Sequence, residues 1–323
     1  MKRDKMNVIE RGAPMKKINI LGMANEDLFV RSDIPLTYRD SLPGTVTSRH
    51  GGVGRNIAET LGRLGVNPAF FSALSSRDIG KSIREHLESL NVTVHHAEAA
   101  KTSRYVAFLD DTGDLHIGVN DMKDVENALS VDYIESISDI MFMCDFLLLD
   151  ANAAETVLGH VIAMAKDKGV PLLIDGTSKT KVRRLIPFLP DIHSLKLNMH
   201  EAEALLDRTL TDMNAVQGAA QKIQTMGPQH VYVTAGKDGA VHASEKNVSV
   251  MHPPMMDAAI NTTGAGDAFL AGIAYALVND LEPLPSAIAL SSLTLMSEEA
   301  VNKALDEELF NNHLRSVNHA NQD

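Results

Sequence analysis

Short apolar runs alternate with longer stretches of helical periodicity along most of this chain. A first strand is expected within residues 15–24, and further strands are expected at 70–74, 145–150, 171–175 and 230–235. Runs that are apolar at nearly every position are typical of strands buried on both faces, as in a parallel sheet covered by helices. The pattern therefore predicts an α/β fold whose C-terminal third is almost entirely helical.

Two stretches depart from this rhythm and carry strand patterns without intervening helices. Residues 28–49 hold short alternating pieces broken by proline and glycine, and residues 103–119 contain a strand, an Asp-Thr-Gly-Asp turn and a second strand. A polar turn with glycine between two such runs is a hairpin signal, so we expect a small accessory sheet. We expect one main domain over residues 15–316, a disordered tail at 1–14 and a short tail at 317–323.

Composition places the chain among folded globular proteins and narrows its partners. Its 323 residues are 44% hydrophobic and 22% charged, which is ordinary for a domain with a sizeable core. The formal net charge of -12 repels phosphate backbones and anionic lipid, so neither nucleic acid nor a membrane is expected as a main partner. With one cysteine, Cys144, and no signal-peptide or membrane-spanning pattern, we expect a cytoplasmic protein.

The strongest of three glycine-rich segments is Asn-Thr-Thr-Gly-Ala-Gly-Asp at 261–267, which leads into a helical pattern. Successive N–H groups of Gly264, Ala265 and Gly266 would point at one spot and form an anion hole at the helix N-terminus. Asp267 would then lie in the first helical turn, placed to accept a proton from an attacking hydroxyl. Alternatively, the small residues only permit close helix packing and Asp267 only stabilises the helix N-terminus.

The other two glycine-rich segments are weaker on their own. Gly51 and Gly52 precede a helix that contains Asn56, so a ligand could approach the backbone while the amide contacts sugar hydroxyls. A tight turn before a polar first helical turn explains the same residues. Residues 234–239 join two strands by a glycine-bounded turn, which is either a hairpin or a nucleotide contact.

Together with the Asn-x-x-Glu sequence at 198–201, these segments resemble the ribokinase/PfkB family of carbohydrate and nucleoside kinases. The resemblance extends from residue 16 to about 313, and the early glycine pair combined with the late Gly-Ala-Gly-Asp sequence carries it. It implies a ribokinase-like, doubly wound, mainly parallel sheet with helices on both faces and a small β-sheet lid. It also implies an ATP-dependent phosphotransferase with an alcohol acceptor.

The resemblance assigns roles to residues on the nucleotide side. The late segment supplies the catalytic base and the anion hole already described. Asn198 and Glu201 position hydrated Mg²⁺ and the phosphates, with Glu201 acting on the metal through water. Thr234, Gly236 and Gly239 line the ATP site.

On the acceptor side, the resemblance implies a pocket for a small sugar or nucleoside. Its residues are Asn25, Asp27, Gly51, Gly52 and Asn56. Two amides and a carboxylate beside an accessible backbone suit vicinal hydroxyl groups. The alternative is an ordinary polar loop at the end of a strand.

Further motifs are similar to the pseudouridine kinase subgroup of this family, among them Gly-Gly-Val-Gly-Arg-Asn at 51–56 and Asn-Asp-Met beginning at Asn120. This narrower resemblance implies transfer of the ATP γ-phosphate to the 5′-hydroxyl of pseudouridine. It adds Arg55 to the substrate pocket, and Ser103, Asn120 and Lys179 as candidates for reading the extra N–H of a carbon-linked uracil. The ordinary polar face of a lid strand explains Ser103 and Asn120 as well.

The sequence leaves several questions open. The acceptor can also be ribose, another sugar or an ordinary nucleoside, and a non-catalytic ligand-binding regulator would share the fold. Asn261 stands where many family members have an aspartate linked to a monovalent-cation site, which leaves potassium activation open. We expect a homodimer formed through the lid, because exposed strand edges pair readily and family members often associate there.

Overall fold

The computed structural model describes residues 16–255 and 259–321, and the tail expected at 1–14 lies outside the described residues. The described residues form thirteen strands, which are β1 (Ile18–Leu21), β2 (Asn25–Ser32), β3 (Gly44–Gly51), β4 (Ala69–Leu74), β5 (Thr93–Glu98), β6 (Ser103–Leu109), β7 (Leu115–Asp121), β8 (Phe146–Asp150), β9 (Leu172–Asp175), β10 (Ser194–Asn198), β11 (His230–Thr234), β12 (Ala240–Ser244) and β13 (Val248–Met251). They also form ten α-helices, which are α1 (Val53–Arg63), α2 (Asp78–Ser89), α3 (Lys123–Ala128), α4 (Val131–Met141), α5 (Glu155–Lys168), α6 (Met199–Leu206), α7 (Met213–Gln224), α8 (Ala265–Val278), α9 (Pro283–Leu295) and α10 (Glu307–Ala320).

The main sheet has nine strands in the order β13-β12-β11-β10-β9-β8-β1-β4-β5. Its strands from β11 to β5 are parallel, and β12 and β13 add an antiparallel edge. The apolar runs predicted as strands form β1, β4, β8, β9 and β11. The predicted α/β fold with a doubly wound, mainly parallel sheet is therefore confirmed.

Two hydrophobic cores, one on each face of the main sheet, explain the continuous apolar runs. Leu147 and Leu149 of β8 belong to the core that contains Val161 of α5. Leu148, which lies between them, belongs to the opposite core with Phe269 of α8. Because alternate side chains of a strand point to opposite faces, a strand between two helical layers is apolar at nearly every position.

A second sheet has four strands in the order β3-β2-β6-β7, and we call it the lid. Its strands come from the two stretches that departed from the helical rhythm, although β2 begins at Asn25 and β7 ends at Asp121, slightly outside those stretches. Strand β2 follows shortly after β1, and α1 begins at Val53 directly after β3 has ended at Gly51. The lid therefore grows out of the carboxyl end of the main sheet.

The chain runs from β1 to β4 and β5 on one side of the main sheet and later returns to β8 on the other side. Open α/β sheets bind ligands outside the carboxyl ends of their strands at such a switch point. The connection from β1 to the lid and the start of α1 both lie at this position.

The C-terminal end differs from the expected boundary at residue 316. Helix α10 continues to Ala320, and Val317 within it is fully buried in the core beside α8 and α9. Burial of that side chain explains why the helix continues. Among the described helices, none has the length and apolar character that crossing a membrane requires.

Candidate active site

A buried carboxylate, Asp150 at the end of β8, binds the segment after β1 and the first turn of α1 at the switch point. Its Oδ2 accepts hydrogen bonds from the backbone N–H of Met23, at 2.8 Å, and of Gly54, at 3.2 Å. Gly54 approaches the chain after β1 so closely that a Cβ atom there would lie 2.7 Å from the Cα of Gly22. Only a residue without a side chain allows this approach, which brings the first turn of α1 over the end of β1. Burial raises the pKa of Asp150.

Helix α8 presents its first turn to the same region. Asp267 lies in that turn, as predicted, and its Oδ2 accepts a hydrogen bond of 2.6 Å from Nδ2 of Asn56 in α1. Burial, with the charge of Asp175 second, raises the pKa of Asp267 to about 7, although the Asn56 hydrogen bond and Lys196 oppose the rise. The structure thus joins the predicted base to a predicted substrate residue that is distant in sequence.

A buried lysine, Lys196 of β10, lies beside the predicted anion hole. Its Nζ is 2.9 Å from Oδ2 of Asp175, and a Cβ atom at Gly266 would lie 2.7 Å from the same Nζ. Burial opposes the charged form, but the carboxylates of Asp175, Glu201 and Asp267 raise the pKa of Lys196 to about 12. The glycine therefore leaves space for an ammonium group directly against the start of α8.

Asn198 and Glu201 form a capping box at the start of α6. The Asn198 side chain accepts from the backbone N–H of Glu201 at 2.9 Å, while Glu201 Oε2 accepts from the backbone N–H of Asn198 at 2.8 Å. Burial and the charge of Asp175 raise the pKa of Glu201 to about 7. The predicted Asn-x-x-Glu sequence thus has a structural role that holds both side chains at the carboxyl edge of the sheet.

A cavity of about 930 Å³ adjoins the start of α8. Four of the five residues expected on the nucleotide side line it, namely Asn198, Thr234, Gly236 and Gly239, whereas Glu201 is not among its lining residues. Ala265 and Gly266 line its inner end, while Phe269, Ile288 and Leu295 supply apolar walls. Residues 234–239 form the predicted turn between β11 and β12, so the hairpin and the cavity wall are the same segment.

One face of the lid carries the predicted acceptor residues. Asn25 and Asp27 are two residues apart in β2, so their side chains lie on the same face, and Nδ2 of Asn25 donates to Asp27. Strand register aligns Asp27 with Tyr105 of β6, and Tyr105 with Asn120 of β7. Burial raises the pKa of Asp27 to about 6. Polar groups from β2, β6 and β7 therefore lie on the same face of the lid.

Of the further residues expected to bind substrate, Arg55 lines a cavity of about 310 Å³ together with Asp27, although it is only 3% exposed. Its guanidinium hydrogen-bonds to the carbonyls of Gly51 and His50 and to the amide of Asn56. Ser103 and Lys179 are placed differently from that expectation. Ser103 is buried, and its hydroxyl donates to the carbonyl of Ala24 at 3.0 Å. Lys179 is exposed and lines a separate groove with Arg183 and His200, because the segment after β9 turns it toward α6.

Lys181 is the lysine that the structure places near the lid. Its Nζ hydrogen-bonds to Oδ1 of Asn152, which follows β8, and lies 3.9 Å from Sδ of Met122, which follows β7. Burial lowers the pKa of Lys181, although the charge of Asp150 opposes this. It therefore lies at the junction of lid and main sheet, close to the end of the strand that carries Asn120.

Sequence reasoning missed Asp150, Asp175, Lys196 and Lys181. The two aspartates end buried strands at the carboxyl edge, where the sites of parallel sheets lie, and this position could have indicated them. Lys196 interrupts the apolar sequence Ser-Leu-Lys-Leu-Asn of β10, and a charge within a buried strand is a signal for a buried partner. No comparable signal separates Lys181 from Lys179.

We expect Lys196→Met to destabilise the protein by about 3 kcal/mol, because it leaves buried carboxylates without their cation. The double variant Asp175→Asn/Lys196→Met should recover part of this loss, since the directly paired charge is removed too. Urea unfolding at pH 7.5 measures both changes. Lys179→Met is the control and should stay within about 0.5 kcal/mol of the natural protein. A cost for Lys196→Met no greater than this control would contradict the expectation.

Comparisons with known proteins agree with this geometry. Residues 15–302 match the family described as pfkB family carbohydrate kinase. The chain is 32% identical over 292 residues to a pseudouridine kinase of Escherichia coli strain K12, covering 88% of this chain and 92% of that protein. It is 25% identical over 273 residues to a guanosine-inosine kinase of Exiguobacterium acetylicum, covering 82% and 89%. A solved carbohydrate kinase from Agrobacterium tumefaciens has a TM-score of 0.80 and 27% identity, covering 94% of this chain and 98% of that one. The predicted family is confirmed: the chain is an ATP-dependent kinase with a ribokinase-like fold and belongs to the pfkB family of carbohydrate kinases.

Proposed function

We propose that this kinase transfers the γ-phosphoryl group of ATP to the 5′-hydroxyl of pseudouridine. The observation that carries the proposal is the position of Asp267. Its helix borders the 930 Å³ cavity through Ala265 and Gly266, while its carboxylate is bonded to Asn56 below the lid. A base at this point has room for a nucleotide on one side and an acceptor on the other. The similarity to a pseudouridine kinase favours that acceptor over other nucleosides.

In the proposed reaction, the acceptor oxygen attacks the γ-phosphorus and its proton passes to a carboxylate oxygen of Asp267. The bond between the γ-phosphorus and the bridging oxygen breaks, and ADP leaves with that oxygen. The raised pKa of Asp267 suits a group that must hold this proton. N–H groups at the start of α8 and the ammonium of Lys196 lie where they can stabilise charge on the transferring group.

The residues present fit a hydrated magnesium ion held near Glu201. Asp175, Glu201 and Asp267 share one buried cation, Lys196, so the region has an excess of negative charge. Glu201 keeps acceptor capacity beyond its bonds to Asn198, which suits contact through water. When bound with ATP, Mg²⁺ would neutralise phosphate charge while keeping most of its waters. Asn198 and Glu201 are therefore proposed to position it.

Lys181 and Asn120 are proposed to recognise the uracil ring. Asn152 holds the Lys181 ammonium at the junction of lid and sheet, where it can donate to a ring carbonyl. Asn120 is exposed on the lid face that carries Asp27, and its amide can pair with both a ring N–H and a ring carbonyl. Asn25, Asp27 and Asn56 are left for the ribose hydroxyls. Lys179 is no longer needed in this arrangement.

We expect Asp267→Asn to lower kcat by ~10²–10⁴-fold while ATP and nucleoside binding are retained, because only the proton acceptor is lost.

In the natural protein, kcat/KM should rise with pH through about 7, since below that pH the raised pKa keeps Asp267 protonated. A coupled ADP-release assay measures both quantities, and calorimetry checks binding. Unchanged turnover in Asp267→Asn would remove this residue from its proposed role.

The same assay, run with magnesium and ATP, identifies the acceptor. The panel is pseudouridine, uridine, adenosine, ribose and fructose 6-phosphate, compared by kcat/KM. Preference for pseudouridine supports the proposal, whereas preference for another acceptor contradicts the proposed recognition and keeps the kinase. Absence of turnover with every acceptor would favour an untested sugar or a ligand-binding regulator.

We expect Lys181→Met to raise KM for pseudouridine about tenfold or more, because a charged hydrogen bond to the ring is lost. KM for ribose should change less than about twofold, since ribose has no ring for Lys181 to contact. Lys179→Met is the matched control, with the same change two residues away. Equal changes in both KM values, or an equal effect of Lys179→Met, would contradict the assignment. Steady-state kinetics with both acceptors give the answer.

The outer face of the lid supports the proposed homodimer. Register places Val46, Val30, Phe108 and Ile117 in one row across all four strands, and Val46 and Ile117 are 64% and 54% exposed. A second copy related by a two-fold axis would cover this apolar face with the same face.

We expect light scattering to give the mass of a dimer for the natural chain and of a monomer for Val46→Glu, which adds a charge to this exposed apolar row. Met143→Glu, at an exposed apolar residue of the main domain, is the control and should remain dimeric. A monomeric natural chain at all concentrations from 1 to 100 times the assay concentration would reject the dimer.

A further inference from the structure

Arg55 lies between the lid and the first turn of α1, and its guanidinium contacts several groups at once. Its Nη2 donates to the carbonyl of His50 and to Oδ1 of Asn56, and its Nε donates to the carbonyl of Gly51 at 3.4 Å. Its Nη1 pairs with Glu59 one helical turn later. A planar fork with five N–H donors suits this number of acceptors, whereas an ammonium group does not.

The bond to Asn56 fixes the orientation of an amide that has two chemically different ends. Because Arg55 has only donors, the oxygen of the Asn56 amide must face it. The NH₂ end then faces Asp267, and it donates to Oδ2 at 2.6 Å. A reversed amide would place N–H against N–H on one side and oxygen against carboxylate on the other.

The bonds to His50 and Gly51 connect the same guanidinium to the lid. These carbonyls belong to the last residues of β3, directly before the chain enters α1. The same guanidinium thus contacts both the end of a lid strand and the amide of Asn56, which binds Asp267.

The buried charge of Arg55 is held by carboxylates that surround it. Glu59 is its direct partner, and Asp27 of the lid, Asp267 of α8 and Glu299 after α9 also favour the charged form. Glu59 is shared with Arg63, whose Nη2 lies 2.7 Å from Oε1, and with His86 of α2, at 3.2 Å. Burial lowers the pKa of Arg55, and these carboxylates oppose that effect.

We propose that Arg55 is a positioning residue, which orients the Asn56 amide toward Asp267 and links that orientation to the end of lid strand β3. The inference rests on the proposed function, in which Asp267 accepts the proton of the acceptor. In this role Arg55 acts through Asn56 and not through a contact of its own with the reacting atoms. Its effect reaches the reaction through one hydrogen bond, from Asn56 to the base.

This arrangement has a consequence for the protonation of Asp267. The groups that face its carboxylate are Asn56 and Arg55 of α1, Asp150 of β8, Asp175 of β9 and Lys196 of β10. Donation by Asn56 lowers the pKa of Asp267, so loss of the bond raises it. More of the base is then protonated at neutral pH, and the acid limb of the kcat profile moves to higher pH.

The decisive variant is Arg55→Lys, which keeps the positive charge but cannot bind the same acceptors together. The natural protein is first assayed on the acceptor panel, and its best acceptor is used for all variants. We expect Arg55→Lys to lower kcat about tenfold, to move the acid limb upward and to leave KM for ATP within about twofold. Arg63→Lys is the matched control, since Arg63 pairs with the same glutamate but not with Asn56, and it should keep the kcat of the natural protein.

A double-mutant cycle shows whether Arg55 acts through Asn56. In an Asn56→Ala background, Arg55→Lys should change kcat by less than about twofold, because the group it positions is gone. The proposal would be overturned if Arg55→Lys lowered kcat equally in the natural and the Asn56→Ala backgrounds. It would also be overturned if Arg55→Lys kept full kcat and an unchanged acid limb of the pH profile. Failure of the natural protein on every acceptor contradicts the proposed function instead, and is seen before any variant is made.

The protonation of Asp267 can also be measured without turnover, whether or not an acceptor has been found. The carboxyl ¹³C resonance of Asp267, assigned with Asp267→Asn, reports its titration directly. Its midpoint should rise in Arg55→Lys and stay unchanged in Arg63→Lys. Thermal unfolding shows whether Arg55→Lys is folded. If it is not folded, Arg55→Gln replaces it, because this variant buries no charge, and the same results are expected for it. An unchanged midpoint in the folded variant would overturn the proposal.

Discussion

The hydrogen bonds accepted by the buried carboxylate of Asp150 determine the geometry of the candidate site. They join β8 to the N–H of Met23, at the start of the lid, and to the N–H of Gly54, in the first turn of α1. Separation of these elements would leave Oδ2 of this buried carboxylate without its two backbone donors, while Oδ1 keeps the N–H of Asn152, and the loss costs about 1–3 kcal/mol. The lid and α1 are therefore held at the switch point of the sheet, where β1 and β8 part. Asn56 reaches Asp267 because α1 begins at this point.

Charge balance is the second constraint on the site. Lys196 is a single ammonium among the carboxylates of Asp175, Glu201 and Asp267, whose negative charges repel one another. Lys196 pairs directly with Asp175, and the pKa values of the other two carboxyls rise to about 7. The negative charge of these carboxylates is therefore only partly compensated by Lys196. A nucleotide accompanied by a divalent cation would bring groups of both signs into it, which suits the proposed phosphoryl transfer.

Sequence reasoning predicted the framework because the framework depends on local patterns. Continuous apolar runs indicated the parallel strands, and the turn within residues 103–119 indicated a lid hairpin. Glycine clusters before helices indicated Asn56 and Asp267, which the fold then joins. The charged partners were not predictable, since Asp150 bonds across elements that are far apart in sequence. Lys179 was misplaced for a related reason: nothing local decides which side of a loop faces the pocket.

The chemistry and the recognition of the acceptor are divided between two parts of the molecule. Asp267 and Lys196, with the proposed proton transfer and charge stabilisation, belong to the main domain. Most of the proposed contacts to the acceptor come from the lid strands and from the junction at Lys181, and Asn56 of α1 adds one from the main domain. Substitutions on the lid can therefore change the acceptor without altering the base, which is compatible with relatives that act on different nucleosides. The two parts cannot be fully independent, however, because Asn56 follows Arg55, whose guanidinium contacts the end of β3. The position of the lid and the state of the base are consequently linked through adjacent residues of one helical turn.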